Sequence, residues 1–226
     1  MVLTQAEFDA KLAELKAVPP HGFAVYNGGF FKEWGEHPAD WTDVECAYAA
    51  AELAKCKPQH ILDVGSYRHF VLGLGAHYDV TCLDIRPKMK LLGEKRIALD
   101  VRDLSTINDS FDAVVSLCSL EHIGLGRYGD AYDIEGDRKA FIEIGKVLTT
   151  GGHLIFSVPI TMQQAILFNA HRLYNHSKLE QFCKDGGFVV EDESIFQFTS
   201  FKKISSGEVT NVPTGWDVYC ANWRKV

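Results

Sequence analysis

The sequence predicts an α/β protein with a doubly wound, mostly parallel seven-stranded sheet, N-terminal helices and an antiparallel final strand. From residue 58 onward, short apolar runs alternate with helix-like segments, and the apolar runs are continuous. Continuous apolar strands are typical of a parallel sheet that helices cover on both faces. Two longer strand-like segments close the chain without a helix between them, which favours an antiparallel pair.

The predicted elements follow one another in a regular order. The strands are 60–65, 78–85, 95–101, 111–118, 153–160, 188–198 and 216–223. The helices are 4–17, about 40–56, a segment ending near Ala76, 136–148 and about 175–185. Pro19, Pro58 and the pair Gly186-Gly187 supply stop signals for three of these helices.

The chain divides at residue 57 by its composition and pattern. Residues 1–57 are expected to form an N-terminal helical extension, and residues 58–226 the main α/β domain, together in one compact unit. Within the extension, the segment YNGGFFKEW is rich in glycine and aromatic residues. It is either a lid over a pocket or a loop that packs on the surface.

Charge and composition exclude several classes of protein. The formal net charge is −7, which argues against a nucleic-acid binder because phosphate neutralisation needs a basic face. The sequence contains no apolar run of membrane-spanning length, and its N-terminus lacks the layout of a signal peptide. Its six cysteines form no C-x-x-C pair and favour free thiols. We therefore expect a cytoplasmic protein with a small-molecule substrate; whether it forms a homodimer stays open.

Aspartates end the first three predicted strands. These are Asp63, Asp84 and Asp100. Each alone could be a turn former, but ligands of such sheets bind beyond the carboxyl ends of the strands. A carboxylate about twenty residues after the first strand is placed to accept ribose hydroxyls, and Asp84 has this position.

The first turn, GSYRHF, restricts the ligand further. Gly65 is present, but Tyr67 and Phe70 occupy the positions where a dinucleotide-binding turn has glycine. Bulky side chains there leave little room for a diphosphate. The turn favours a ligand with a ribose and without a diphosphate, such as S-adenosylmethionine.

Residues 60–160 resemble the class I S-adenosylmethionine-dependent methyltransferases, which have a Rossmann-like fold. The resemblance lies in the ordered motifs ILDVGS, VTCLDI, ALDVRDL, FDAVVSLCSLEHIG and VLTTGGHLIFSVPI. More narrowly, EHIGLGRYGD together with FNAHRLY is similar to a small methyltransferase-like family of unknown function, with members in bacterial surface-polysaccharide pathways. This chain departs from the wider family in its first turn, where most relatives carry two or three glycines.

The resemblance implies a set of cofactor-binding residues. Gly65 would approach the methionine moiety, Asp84 would bind the ribose, and Asp100 with Val101 would frame the adenine. Ser116 to Ser119 would form the floor, and Arg68 is either a partner of the methionine carboxylate or a surface charge. The full set is Asp63, Gly65, Ser66, Arg68, Asp84, Ile85, Asp100, Val101, Ser116, Leu117 and Glu121.

The segment after the fourth strand offers catalytic candidates. Methyl transfer needs alignment of donor and acceptor, and a base if the acceptor is a hydroxyl. His122 is the candidate base and His171 the alternative, although either histidine could serve only to pack the pocket. Glu121 would orient His122 or bind the cofactor's amino group. Asp130 is the third catalytic candidate.

An acceptor site is expected beside these residues. Its candidates are Arg127, Tyr128, Asn169 and Arg172. Arg127 and Asp130 could instead form a local salt bridge that stabilises the glycine-rich turn. The histidines lack the spacing of a metal site, so no metal is expected.

The preferred interpretation is an S-adenosylmethionine-dependent methyltransferase whose acceptor is small and polar, such as a sugar- or nucleotide-linked hydroxyl. One alternative is a non-catalytic binding or regulatory protein that keeps the fold. A nucleotide-dependent oxidoreductase is the other, and Tyr67 and Phe70 count against it. Turnover that is lost on mutation of His122 or His171 would separate the enzyme from the binding protein.

Overall fold

A computed structural model describes residues 4–19, 23–30, 39–86 and 93–226. The chain falls into two compact units, Met1–Ala39 and Asp40–Val226. In the first unit, helix α1 (Gln5–Ala17) begins at a capping box between Thr4 and Glu7, and none of its residues is buried. The predicted lid segment lies partly outside the described residues.

The second unit is built on an eight-stranded sheet. In chain order, the helices and strands of this unit are α2 (Trp41–Cys56), β1 (His60–Val64), α3 (Arg68–Leu74), β2 (Asp79–Leu83), β3 (Lys95–Ile97), β4 (Phe111–Leu117), α4 (Gly136–Val147), β5 (Leu148–Ile160), β6 (Ala165–Leu167), β7 (His171–Leu173), α5 (His176–Asp185), β8 (Phe188–Phe196), β9 (Lys203–Ile204) and β10 (Asp217–Lys225). Strands β6 and β7 form a hairpin that is separate from the sheet. The strand order is β3-β2-β1-β4-β5-β10-β8-β9. Strands β1 to β5 pair in parallel, and β10 runs antiparallel to β5 and β8. The predicted fold class is therefore confirmed.

Three details of the sheet differ from the prediction. The sheet has eight strands because the short β9 pairs with the end of β8. Strand β3 ends at Ile97, ahead of the predicted 101, because Asp100 caps a 3₁₀ turn that begins at Val101. Strand β5 begins at Leu148, because residues 149–152, predicted to end the preceding helix, continue in the strand.

Helix α2 packs against β4, β5 and β10. Asp40 caps its start by accepting the Thr42 N–H, and Lys57 in the left-handed region ends it ahead of Pro58. This helix, which the prediction includes in the N-terminal extension, lies in the same compact unit as the sheet. The extension as a separate part of the chain stays a prediction.

The core consists of two apolar clusters. Along β1, Leu62 and Val64 belong to one cluster and Ile61 to the other. Successive side chains of a strand point to opposite faces, so the clusters lie on opposite faces of the sheet. Phe141, a predicted core residue of α4, packs against Trp223 in the larger cluster.

Two further findings concern the chain as a whole. No helix in the described ranges is both long and apolar enough to cross a lipid bilayer. All six cysteines are free thiols; three are buried and three half-buried.

Two glycine-to-alanine substitutions in helices should act in opposite directions. At Gly145 a new Cβ would collide with the backbone oxygen of Gly186, so Gly145→Ala should lower the free energy of unfolding by about 1–3 kcal/mol. Gly73 has nothing within 4 Å of the same added atom. Gly73→Ala should therefore raise that free energy by about 0.5–1 kcal/mol. Urea unfolding measures both values, and an unchanged stability of Gly145→Ala would contradict the packing of α4 described here.

Candidate active site

A cleft of about 580 Å³ lies beyond the carboxyl ends of β1, β2 and β4. It brings together the predicted cofactor residues Gly65, Asp84, Ile85, Asp100 and Val101 and the loop residues His122, Tyr128 and Asp130. The sequence analysis predicted such a site at this edge of the sheet.

Hydrogen bonds between the ends of β1 and β4 set the floor of the cleft. The Ser116 hydroxyl donates to the Val64 carbonyl at 3.0 Å, and the Leu117 N–H donates to Ser66 Oγ at 3.0 Å. Ser116 and Leu117 were predicted to bind the cofactor, which would require them to line the cleft. Both are fully buried and do not line it. Cys118 and Ser119, which follow them, form its surface.

Gly65 is the point where the chain passes closest to this floor. Its φ of +70° lies in the left-handed region, and an added Cβ would collide with Ser119 Oγ. Both facts require glycine here. Glycine at this position lets the chain pack directly against the Ser119 side chain.

Tyr67 and Phe70 do not obstruct the cleft. Both side chains pack beside the apolar cluster of α2, and neither lines the cleft. The Tyr67 hydroxyl donates to Glu45 Oε2 at 2.8 Å. The expectation that these side chains fill the ligand's space was therefore wrong, because the turn directs them toward α2.

Two Asp-x-Arg segments form matching ion pairs on the wall of the cleft. Asp84 Oδ1 accepts the Arg86 backbone N–H at 2.9 Å, and Asp100 Oδ1 accepts that of Arg102 at 2.9 Å. Each guanidinium also contacts both oxygens of its carboxylate. Although burial opposes it, the bonds from Arg102 hold the pKa of Asp100 below its usual value. The repeated segments LDIR and LDVR, each with an arginine two residues after the aspartate, indicate these ion pairs. The sequence-based prediction did not include them.

Arg68 lies beside a smaller neighbouring depression. Its guanidinium binds Glu94 through two hydrogen bonds of 3.0 and 2.9 Å. The same depression includes Asp63, whose carboxylate accepts the Ser66 N–H at 3.2 Å. Arg68 is thus an ion-pair partner of a buried glutamate in this structure.

The loop after β4 is held by Asp130. Its carboxylate accepts the N–H groups of Gly124 at 2.6 Å and Tyr128 at 3.3 Å. Predicted as catalytic, Asp130 is used here as an anchor of the loop, since both its oxygens bind the loop's own backbone. The alternative pairing of Arg127 with Asp130 is not formed, because Arg127 donates to the Ala170 carbonyl at 3.2 Å.

His122 is a neutral side chain at the wall of the cleft. Its Nδ1 lies 2.5 Å from the Ala170 carbonyl, so that nitrogen carries the proton, and Nε2 lies 3.5 Å from Glu121 Oε1. Burial lowers the pKa of His122 to about 4. At neutral pH it is therefore a weak base, which the sequence could not reveal.

Glu121 is the stronger proton acceptor of the pair. It is only 2 % exposed, and its Oε2 has no hydrogen-bond partner among the described residues. Burial, with a smaller contribution from the carboxylate of Glu45, raises the pKa of Glu121 to about 8. A base with a pKa near the operating pH is the efficient one.

His171, predicted as the alternative base, lies next to His122. Their ring centroids are 6.0 Å apart, and the His171 ring is 5.0 Å from that of Trp216. The Nε2 of His171 is buried without a partner among the described residues, and burial lowers its pKa. Asn169, predicted to bind substrate, is exposed and has a φ of +58° between β6 and β7, where it forms the turn.

Arg172 is a structural residue beneath the loop. It is 5 % exposed and forms a 3.3 Å ion pair with Asp137. Its remaining donors bind the backbone carbonyls of Glu121, Ile123, Asp133 and Ile134. Predicted as a substrate ligand, it instead has its donors occupied by the protein.

Sequence reasoning missed Glu45, a fully buried acid of α2. It accepts from Tyr67 and from Cys118 Sγ, the latter at 2.8 Å, and burial raises its pKa. Its spacing from Ala49 and Leu53 places it on the buried face of the helix. That spacing was the available signal.

Within the described ranges, no three His, Cys, Asp or Glu side chains are grouped so as to hold a metal ion.

The chain belongs to the family described as "Caenorhabditis protein of unknown function, DUF268". The family model matches residues 84–206, just over half of the chain. That the motif EHIGLGRYGD is characteristic of a family of unknown function stays a prediction. No curated protein matches the sequence.

The fold is that of S-adenosylmethionine-dependent methyltransferases. The N-methyltransferase NodS from Bradyrhizobium japonicum WM9, in complex with S-adenosylhomocysteine, is 16% identical with a TM-score of 0.57 over 82% of this chain and 88% of its own. For the 1,6-didemethyltoxoflavin-N1-methyltransferase of Burkholderia thailandensis the values are 16%, 0.60, 82% and 80%. The [4+2]-cyclase SpnF, at 12% identity and a TM-score of 0.60 over 84% of each chain, also has this fold. The fold alone thus does not fix the reaction.

The protonation state of His122 can be tested by NMR. Because burial lowers its pKa to about 4, the imidazole should stay neutral from pH 5.5 to 8, with the proton on Nδ1. Nitrogen-15 shifts of the ring measure both properties, and the His122→Gln variant assigns the resonance. A titration midpoint near 6.5 would show that the ring is not desolvated as described.

Proposed function

We propose that this chain is an S-adenosylmethionine-dependent methyltransferase acting on a small polar acceptor. The observation that carries the proposal is the cleft at the carboxyl ends of β1, β2 and β4, with Gly65 and two strand-end acids on its wall. The proposal keeps the sequence-based expectations of a cytoplasmic location and of a role in surface-polysaccharide pathways.

The residues present suit the parts of this cofactor. Gly65 lines the cleft, where its main chain would approach the methionine moiety. Asp84 would accept the ribose hydroxyls, and Asp100 the exocyclic amine of adenine. Each carboxylate already accepts three hydrogen bonds from its arginine, of the about four that an ionised carboxylate can accept, so the ligand would have to displace some of these bonds. When bound, S-adenosylmethionine supplies a methyl group on a positively charged sulfur.

The loop after β4 supplies the acceptor's side of the reaction. His122 lines the same cleft as the cofactor residues, and Glu121 stands beside it. In its ionised form Glu121 would take the acceptor's proton, while the neutral His122 would position that carboxyl. A hydroxyl acceptor, as expected from the sequence, would need such a base.

Binding of S-adenosylhomocysteine tests this function directly. At about a hundred times its dissociation constant the ligand should stabilise the protein by about 2.7 kcal/mol. Asp84→Asn should weaken binding about 10- to 100-fold, since a hydrogen bond to a charged group contributes about 1.5–3 kcal/mol. Asp79→Asn is the matched control, because Asp79 lies on the same strand and is half-exposed with Lys95 as its partner.

Thermal melts and titration calorimetry measure these effects. Absence of stabilisation by S-adenosylhomocysteine, or an equal response of the two variants, would contradict the proposed function.

A further inference from the structure

A continuous series of ring contacts runs from Tyr67, in the turn after β1, to His122, in the loop after β4; we call it the aromatic belt. Its successive centroid distances are 5.9 Å for Tyr67–Trp41, 6.3 Å for Trp41–Phe198, 5.1 Å for Phe198–Trp216, 5.0 Å for Trp216–His171 and 6.0 Å for His171–His122. The members come from α2, the turn after β1, the loop after β4, β7 and the two segments that flank β9. Residues from so many elements meet there only because the fold brings them together.

Acidic side chains close this belt into a ring. Glu121 Oε1 lies 3.5 Å from His122 Nε2, at one end of the belt. At the other end, the Tyr67 hydroxyl donates to Glu45. Cys118 connects the two acids, since its thiol donates to Glu45 and lies beside Glu121. The two buried carboxyls, Glu45 and Glu121, therefore lie on the part of the ring that connects Tyr67 to His122.

Two polar atoms on this ring lack a partner. They are Oε2 of Glu121 and Nε2 of His171, both buried and without a hydrogen bond among the described residues. Leaving such an atom unsatisfied costs about 1–3 kcal/mol. The rings of Trp41, Tyr67, Phe198 and Trp216 are only half-buried, unlike the fully buried core residue Trp223. Half-buried rings in one contact series with two unpartnered buried polar atoms make this ring a candidate place for a ligand.

The chemistry of the ring selects the sign of that ligand's charge. Aromatic faces attract cations, with about 0.5–2 kcal/mol for each well-placed contact. The carboxyl of Glu121 adds an acceptor of hydrogen bonds from N–H groups. Arg127 carries the opposing charge near the histidines, but its guanidinium lies over the Tyr128 ring at 5.2 Å and donates to the Ala170 carbonyl.

We propose that the methyl acceptor is an amine, held as a cation between the aromatic belt and the carboxyl of Glu121. This inference rests on the function proposed above and replaces the hydroxyl expected from the sequence. It assigns recognition to Trp41, Trp216 and Phe198, which the cofactor cleft does not use.

The transfer step balances with the groups present. Binding of the ammonium first displaces the resting proton of Glu121 to solvent. The ammonium then gives one proton to the Glu121 carboxylate and becomes a neutral amine. Its lone pair forms the nitrogen–carbon bond as the carbon–sulfur bond breaks, and that electron pair stays on sulfur. The products are a methylated ammonium and S-adenosylhomocysteine, and Glu121 releases its proton to solvent. The belt stabilises the charge on nitrogen after transfer.

Binding of choline, compared with its neutral isostere 3,3-dimethylbutan-1-ol, tests the inference without needing the true acceptor. Both are titrated into the full chain at pH 8, with and without S-adenosylhomocysteine, and followed by tryptophan fluorescence. Choline should bind at least about tenfold more tightly, since 1.4 kcal/mol of cation–ring and carboxylate attraction is tenfold. Equal binding of the two probes would overturn the inference.

Variants assign the effect to residues. Glu121→Gln and Trp216→Leu should each weaken choline binding about tenfold, whereas Glu180→Gln, at a half-exposed site on α5, should not. Thermal melts show whether each variant is folded. A folded Glu121→Gln protein that binds choline like the wild type would overturn the inference. Failure of S-adenosylhomocysteine to bind would instead overturn the proposed function, because the choline comparison is read separately.

The pH dependence gives an independent readout, because choline's charge does not titrate. Burial raises the pKa of Glu121 to about 8, so the carboxyl is mostly protonated at pH 6.5 and ionised above pH 8. Choline affinity should therefore rise up to about tenfold per pH unit below 8 and level off above it. The groups facing Glu121 are Glu45, Cys118, His122, Arg127, Arg172 and Tyr174. Loss of the slope in Glu121→Gln supports the assignment; a slope that persists there contradicts it.

Discussion

The parallel pairing of β1 with β2 and β4 is the constraint on which the cleft depends. It brings three carboxyl ends to one edge of the sheet, where backbone groups no longer have strand partners. The serines at those ends take over this role, because Ser116 binds the Val64 carbonyl and Ser66 accepts the Leu117 N–H. Gly65 can then form its turn, with a positive φ, directly above the start of the loop after β4.

A second constraint is the buried ion pair of Arg172 with Asp137. Burying two charges is costly unless every donor finds an acceptor, and here four backbone carbonyls complete the set. These bonds fasten the β6–β7 hairpin to the loop after β4. The Ala170 carbonyl, which lies at that hairpin, is thereby fixed against His122 and sets the tautomer of its ring.

The sequence predicted what local pattern determines. Apolar runs located the strands, and the spacing of Asp84 and Asp100 placed both acids on the cleft. It could not predict features that depend on distant contacts, such as Glu45 meeting Cys118 across the core. Charges were the least predictable, because a sequence shows Arg172 without its partners and His122 without its burial. The roles assigned to these two residues therefore changed when their surroundings were known.

Burial acts on Glu121 and His122 in one direction: it disfavours the charged form of each. The pair is therefore neutral at rest: the Glu121 carboxyl is protonated, and the imidazole carries a proton on Nδ1 only. A positive ligand can ionise Glu121 at little cost, since the pKa of that carboxyl is near neutrality. An anionic ligand would have to protonate His122, several pH units above its pKa. The pair is thus biased toward cations, and the aromatic belt beside it has the same preference.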